Sequence, residues 1–187
     1  MEPSDEALCA RVAKRDEAAF DLLVARYQER AYRLAWSILR NAEDARDLSQ
    51  DAFIRLYEAA GSFGGRSKFS TWFYRILVNL CLDHKRKHRW WKLWTRDEGD
   101  DRNDPLLERQ PAPVVDPVDK LSRERTMKEL AAAVDQLAPR QRAAVLLRVQ
   151  EDMATYEIAK VLKCSEATVR VHLHRALTTL KKTVEKR

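Results

Sequence analysis

Residues 154–180 read ATYEIAKVLKCSEATVRVHLHRALTTL. Apolar positions recur at helical spacing from Ala154 to Leu162, and again after Ser165. Only Lys163, Cys164 and Ser165 lie between the two patterns. Two helices joined by so short a turn predict a helix-turn-helix, whose second helix can enter a DNA major groove. Ser165 is a suitable N-cap for that helix, with Thr168 at its N3 position. At 100° per residue Val169, Leu173, Ala176, Leu177 and Leu180 share a face, predicted to pack. Arg170, Val171, His174, Arg175 and Thr178 then point away from it. Between Arg170 and Arg187 there are six bases and one acid. Such a helix can present Arg to guanine O6 and N7, or be a solvated basic face of an ordinary bundle.

The helical reading extends upstream. One helix is predicted from about Lys120 to Leu137, and another to about Gln150 with Pro139 in its first turn. Before it the composition changes. Asp97 to Asp119 holds eight acids, two bases and four prolines, whereas His84 to Arg96 holds six bases and no acid. Proline and like-charge repulsion prevent residues 97–119 from burying themselves. The N-terminal half is again helical. A short mixed segment over residues 5–15 is followed by a helix from about Asp16 to Leu39. A second runs from Ala42, capped by Asn41, to Ala60, and Gly61 ends it. A loop rich in small residues covers Ser62 to Lys68, and Ser70 is read as the cap of a helix reaching about Arg89. The chain is therefore expected to be all-α, with two small helical domains (1–94 and 120–187) joined by a flexible acidic linker over 95–119.

Composition narrows the function. The 187 residues suffice for one or two small domains. A formal charge of +6 suggests an anionic partner. No run of eighteen apolar residues exists, and Met1 to Glu6 is acidic, so neither a membrane span nor a secretion signal is expected. Cys9, Cys81 and Cys164 are odd in number and far apart, which fits reduced thiols in a cytoplasm. No glycine-rich phosphate loop, nucleophile elbow or HExxH is present, so no catalytic residue, cofactor or small-molecule substrate is assigned. Cys81, His84 and His88 could share a helix face, but their spacing matches no strong zinc pattern, so no metal is assigned.

Two N-terminal segments carry chemistry. On the helix from Ser70, the residues Phe69, Trp72, Phe73, Ile76, Leu77 and Leu80 mark the buried side. Arg75, Asn79 and Arg86 form a stripe beside it, with Trp72 at the border between core and stripe. Aromatic, amide and guanidinium groups together can hold an unstacked base. Arg66, Ser67 and Lys68 end a loop through which backbone can approach such a base. The helix from Ala42 is different: Glu43, Asp44, Asp47, Asp51 and Glu58 oppose only Arg46 and Arg55. That face repels DNA and suits a basic or helical protein partner, or else it is simply solvated.

These segments resemble one family. Residues 41–57, NAEDARDLSQDAFIRLY, resemble region 2.2 of bacterial sigma factors. Residues 69–76, FSTWFYRI, with Asn79 and Asp83 to Arg86, resemble regions 2.3 and 2.4. LAPRQR at 137–142, YEIA at 156–159 and CSEATVR at 164–170 resemble regions 4.1 and 4.2. Their order and spacing are similar to the extracytoplasmic-function (ECF) group of the sigma-70 family. The resemblance implies a non-catalytic initiation subunit of core RNA polymerase, acting in the cytoplasm on promoter DNA. It implies docking on the β′ coiled coil through Glu43, Asp44, Asp47, Leu48, Gln50, Asp51, Phe53 and Leu56, and contact of the C-terminal domain with the β flap. It implies −10 recognition and melting by Phe63, Arg66, Ser67, Lys68, Phe69, Trp72, Arg75, Asn79 and Arg86. It implies −35 recognition by Ser165, Glu166, Thr168, Arg170, Val171, His174 and Arg175. It also implies an anti-sigma factor that can hold the protein at the inner membrane face. The acidic linker would thread the polymerase channels. Three features depart from the family pattern. Lys163 stands where Gly is frequent, and a left-handed backbone there costs about 1 kcal/mol. Val171 and His172 replace positions that are often polar or basic. Trp90, Trp91 and Trp94 match no family landmark. The competing reading is a stand-alone helix-turn-helix regulator, which would need a ligand or receiver domain in the N-terminal half.

Overall fold

The computed structural model describes residues 2–94 and 132–185, and every regular element among them is helical. The linker and most of the helix expected from Lys120 lie outside these residues. The chain forms α1 (Asp5–Val12), α2 (Glu17–Leu39), α3 (Ala42–Ala59), a 3-10 turn (Ala60–Ser62) and α4 (Phe69–Trp94). After the linker come α5 (Pro139–Val149), α6 (Thr155–Leu162) and α7 (Glu166–Glu185).

Local chemistry sets most boundaries. Ser4, Asp16 and Asn41 each accept a backbone N–H three residues on and cap α1, α2 and α3. Pro139 occupies the first turn of α5, where its missing N–H has no partner to lose. α3 ends at Ala59, and the chain tightens into the 3-10 turn that contains Gly61. One expected boundary is corrected. Ser70 does not cap α4. The helix already includes Phe69, whose N–H donates to the Glu6 side chain of α1 at 3.0 Å, and it continues past Arg89 to Trp94. An acceptor supplied by an element sixty residues away has no signature in the local sequence.

Aromatic rings pin α2, α3 and α4 together. Tyr27 of α2 meets Phe69, Phe73 and Tyr74 edge-on, with centroids 5.3, 5.4 and 6.1 Å apart. Phe53 of α3 lies 5.0 Å from Phe73. The Tyr27 hydroxyl donates to Asp5, which also accepts from Arg26 at 2.6 Å and so fastens α1 to α2. Burial pushes the Cys9 thiol up to about 11 and the Cys81 thiol up to about 12, so both are packing groups and not reactive thiolates.

The C-terminal helices pack directly on this bundle. α6 lies along α4, and α5 meets both α2 and α4. Apolar residues of both halves form one continuous core. Arg142 of α5 is buried and answers three carbonyls: Val134 at 3.1 Å, Ile38 of α2 at 3.2 Å, and Asp135. Its cost of burial is offset by those acceptors.

Candidate nucleic-acid and partner interfaces

Helix α3 divides cleanly. Ala45, Ser49, Ala52, Phe53 and Leu56 face the core. Glu43, Asp47, Gln50 and Asp51 are exposed, and Asp44 and Leu48 are half-buried. Phe53 and Leu56, expected on the docking face, are therefore corrected to core residues. They sit on the opposite side of the wheel, and Phe53 is committed to Phe73. The exposed stripe has an apolar member that acidity drew attention away from. Ile54 is 56% exposed and lies one helical turn or more from Asp47, Gln50 and Glu58 on the same face. Ile54 is thus the apolar side chain that this acidic stripe leaves open to a partner, as Phe53 and Leu56 are not. Asp44 is occupied differently: its carboxylate lies 3.0 Å from His84 Nε2 of α4. His84 thus has a partner within the bundle, while Cys81 is wholly buried.

Helix α4 carries the second candidate surface. Arg66, Lys68, Arg75 and Arg86 are exposed, and Phe63, Ser67 and Asn79 are half-buried. Phe69 and Trp72, expected to meet DNA, are corrected to core residues. Phe69 is wholly enclosed, and Trp72 is 7% exposed beneath Phe63, 5.3 Å away. Thr71, Tyr74, Val78 and Cys81 form a second buried side. Their spacing of three, four and three was visible in the sequence, but a bundle of only three helices gave no reason to expect it. Asn79 reaches outward on the stripe, and its Nδ2 donates to Arg75 O at 2.5 Å and to Val161 O of α6 at 3.1 Å. Lys68 Nζ lies 3.1 Å from the Glu157 carboxylate of α6, and Thr71 Oγ1 lies 3.5 Å from the same oxygen. Burial alone raises the Glu157 carboxyl, but the Ala154 amide and Lys68 outweigh it and hold it below the usual carboxylate range. A groove of about 630 Å³ lies beside these contacts, between Arg55, Glu58, Arg75, Asn79 and Lys163.

The end of α4 is exposed. Trp90 and Trp91 stand beside Arg86 and Lys87, and Trp90 falls on the angular stripe of Arg75, Asn79 and Arg86. The Trp94 side chain lies outside the described residues.

Helix α7 follows its expected cap. Ser165 Oγ accepts from Thr168 N at 3.1 Å and lies 2.9 Å from Thr168 Oγ1. Both hydroxyls are thereby engaged at the helix start. Glu166, Arg170, Val171, His174 and Arg175 are exposed. Arg170 keeps only a loose 3.9 Å contact with Glu166. The packing face is rotated from the expected one. Val169 and Ala176 are buried and Leu173 packs on the core, but Leu177 is 56% exposed. His172 and Thr179 are partly buried in its place. Burial, then Arg140 and Arg175, hold the His172 imidazole below its ordinary range. Leu177 misled because a wheel cannot tell a leucine that packs from one at the edge of the contact.

Lys163 adopts the left-handed backbone, with φ 51° and ψ 52°, where it closes α6. Lys163→Gly is expected to raise stability by about 0.5–1 kcal/mol, read as a higher urea midpoint at unchanged slope. A lower midpoint would show that the lysine side chain offsets its backbone strain.

The chain matches the Sigma-70 region 2 family model over residues 23–91 and the Sigma-70 region 4 model over residues 127–180. The RNA polymerase sigma-H factor of Pseudomonas aeruginosa is 31% identical over 185 residues, covering 97% of this chain and 94% of that protein. The ECF RNA polymerase sigma-E factor of Escherichia coli K12 is 31% identical over 178 residues, covering 92% and 90%. Among solved structures, the sigma factor RpoE bound to the anti-sigma factor NepR from Bartonella quintana aligns with a TM-score of 0.71 at 19% identity. That alignment covers 89% of this chain and 96% of that one, and it speaks to the fold. A helical bundle with a helix-turn-helix and both family regions in order defines the class: the chain belongs to the sigma-70 family of initiation factors. Within that family it is an ECF sigma factor, a non-catalytic subunit that directs transcription initiation through promoter recognition by regions 2 and 4.

Proposed function

We propose that residues 1–94, 95–119 and 120–187 divide this task between docking and −10 melting, a threading linker, and −35 recognition. The exposed stripe Glu43, Asp47, Gln50, Asp51 and Ile54 docks on the β′ coiled coil of core RNA polymerase, and the C-terminal domain meets the β flap. Lys68, Arg75, Asn79 and Arg86 hold the non-template strand of the −10 element, with the loop from Phe63 closing over a flipped base. Phe69 and Trp72 support that surface from beneath. Arg170, Val171, His174 and Arg175 face the −35 major groove, while Ser165, Glu166 and Thr168 form the helix start near the phosphates. The protein acts in the cytoplasm, under an anti-sigma factor that competes for these surfaces. The observation that supports this division is the separation of charge: an acidic stripe with one exposed isoleucine on α3, and exposed arginines on α4 and α7.

The test is selection of promoter fragments by this chain with core polymerase, for wild type and Arg170→Ala. If Arg170 reads a base, the variant loses about 1–3 kcal/mol at one −35 position and relaxes the preference there. A uniform loss over all −35 sequences would limit Arg170 to phosphate contact. Tight binding of duplex DNA without any polymerase binding would favour the stand-alone regulator.

A further inference from the structure

On the reading that α7 faces the −35 major groove, the middle of its outward side holds a residue that the helix itself does not explain. Helix α7 packs on α5 and α6, with Val169 and Ala176 buried and Leu173 against the core. At 100° per residue, Val171 lies almost directly opposite the centre of that contact. It is 46% exposed. Arg170 and His174 flank it on one side and Arg175 on the other, and all three are exposed. Ala167, one turn earlier on the same line, is exposed as well. The centre of this face is therefore apolar, and its margins carry the hydrogen-bonding groups.

Helix stability gives no reason for a valine there. Its branched side chain is a weaker helix former than alanine or arginine, and its methyl groups meet water. In a major groove the same side chain becomes selective. Val171 stands in the second turn of α7, where a recognition helix meets base edges. Those edges present donors, acceptors and one apolar group, the C5 methyl of thymine. The Arg170 and Arg175 guanidiniums and the His174 imidazole can bond to base edges or phosphates. Val171 can neither donate nor accept. Against a polar base edge it strips water and returns no hydrogen bond. Against a thymine methyl it buries two apolar surfaces together. The choice is made by exclusion as much as by attraction.

We propose that Val171 reads a thymine methyl in the −35 element, beside the base pair that Arg170 meets, and so fixes thymine at that position. Ala167, with a single methyl group one turn earlier, lets the base edge come close. Arg170 then supplies the charged contact, and Val171 the discrimination between neighbouring bases.

The test uses core polymerase reconstituted with the full chain, on a promoter recovered in the selection above. Each −35 thymine, on either strand, is replaced singly by deoxyuridine, which removes the methyl and keeps every hydrogen-bonding group. Wild type should lose about fourfold in affinity at one position, the worth of one methyl returned to water, and close to nothing at the others. Val171→Ala should bind the thymine promoter more weakly and should no longer distinguish uracil from thymine at that position. Alanine is the better helix former, so the variant should unfold at no lower urea concentration than wild type. Equal affinity of wild type for uracil and thymine at every −35 position would overturn the proposal, as would a recovered −35 element that contains no thymine. So would a uracil penalty that Val171→Ala leaves undiminished, because another side chain would then hold the methyl. Promoters recovered with no base preference at all in the −35 region would instead overturn the placement of α7 on which the proposal rests.

Discussion

Phe73→Ala will cost about 3–5 kcal/mol, most or all of the stability of a small helical domain. Phe73 is wholly enclosed and touches rings from three helices: Tyr27 of α2, Phe53 of α3, and Phe69 and Tyr74 of its own helix. Its removal leaves a cavity that the four surrounding rings cannot collapse to fill. The check is equilibrium urea unfolding followed by circular dichroism. Arg75→Ala, two residues away but exposed, is the control and should change stability by no more than about 0.5 kcal/mol. A loss below about 1 kcal/mol for Phe73→Ala would mean that the aromatic cluster does not hold the bundle together.

Ile54→Arg separates partner binding from folding. The side chain is 56% exposed, so the variant should unfold at the wild-type urea concentration. On the docking face it removes the apolar anchor and places a cation where a basic or helical partner approaches an acidic stripe. An anchor of this kind is worth about 2 kcal/mol or more, or roughly thirtyfold in affinity for core polymerase. Titration of labelled protein with core polymerase measures it. Equal affinity for wild type and variant would remove α3 from the docking surface. The pair of substitutions is informative because the two residues lie on helices that pack together: one is expected to cost the fold, the other only the partner.

The caps and turns were legible because their chemistry is local. Asn41, Pro139 and Ser165 each sit where a short side chain or a missing N–H matches a helix start. The left-handed backbone at Lys163 was suggested by the resemblance, which puts Gly frequently at that turn position. The side of α4 that carries Phe69, Phe73, Leu77 and Leu80 was legible from period, whereas its second buried side, with Thr71, Tyr74, Val78 and Cys81, was not. Assignments that depended on neighbouring helices were not. Phe53, Leu56, Phe69 and Trp72 have the composition of binding residues, yet they pack inward. Leu177 has the composition of core and stands in solvent. Ile54 was overlooked because charge, not exposure, drew attention on α3. Capping of Phe69 by Glu6, and filling of the Lys68–Asn79 stripe by α6, join residues sixty or more positions apart, so no window of sequence contains both partners.

The covering of α4 also changes how exposure is read at the candidate site. Lys68 and Asn79 both have partners on α6: the Glu157 carboxylate and the Val161 carbonyl.

The most direct measurement is single-round run-off transcription from the selected promoters, with core polymerase supplied with wild-type protein, with Ile54→Arg, or alone. Promoter-specific transcripts with the wild type only, restored for Ile54→Arg by raising its concentration roughly thirtyfold, are the predicted result. Transcripts of equal amount and start site with core polymerase alone would contradict the assignment of this chain as the promoter-selecting subunit.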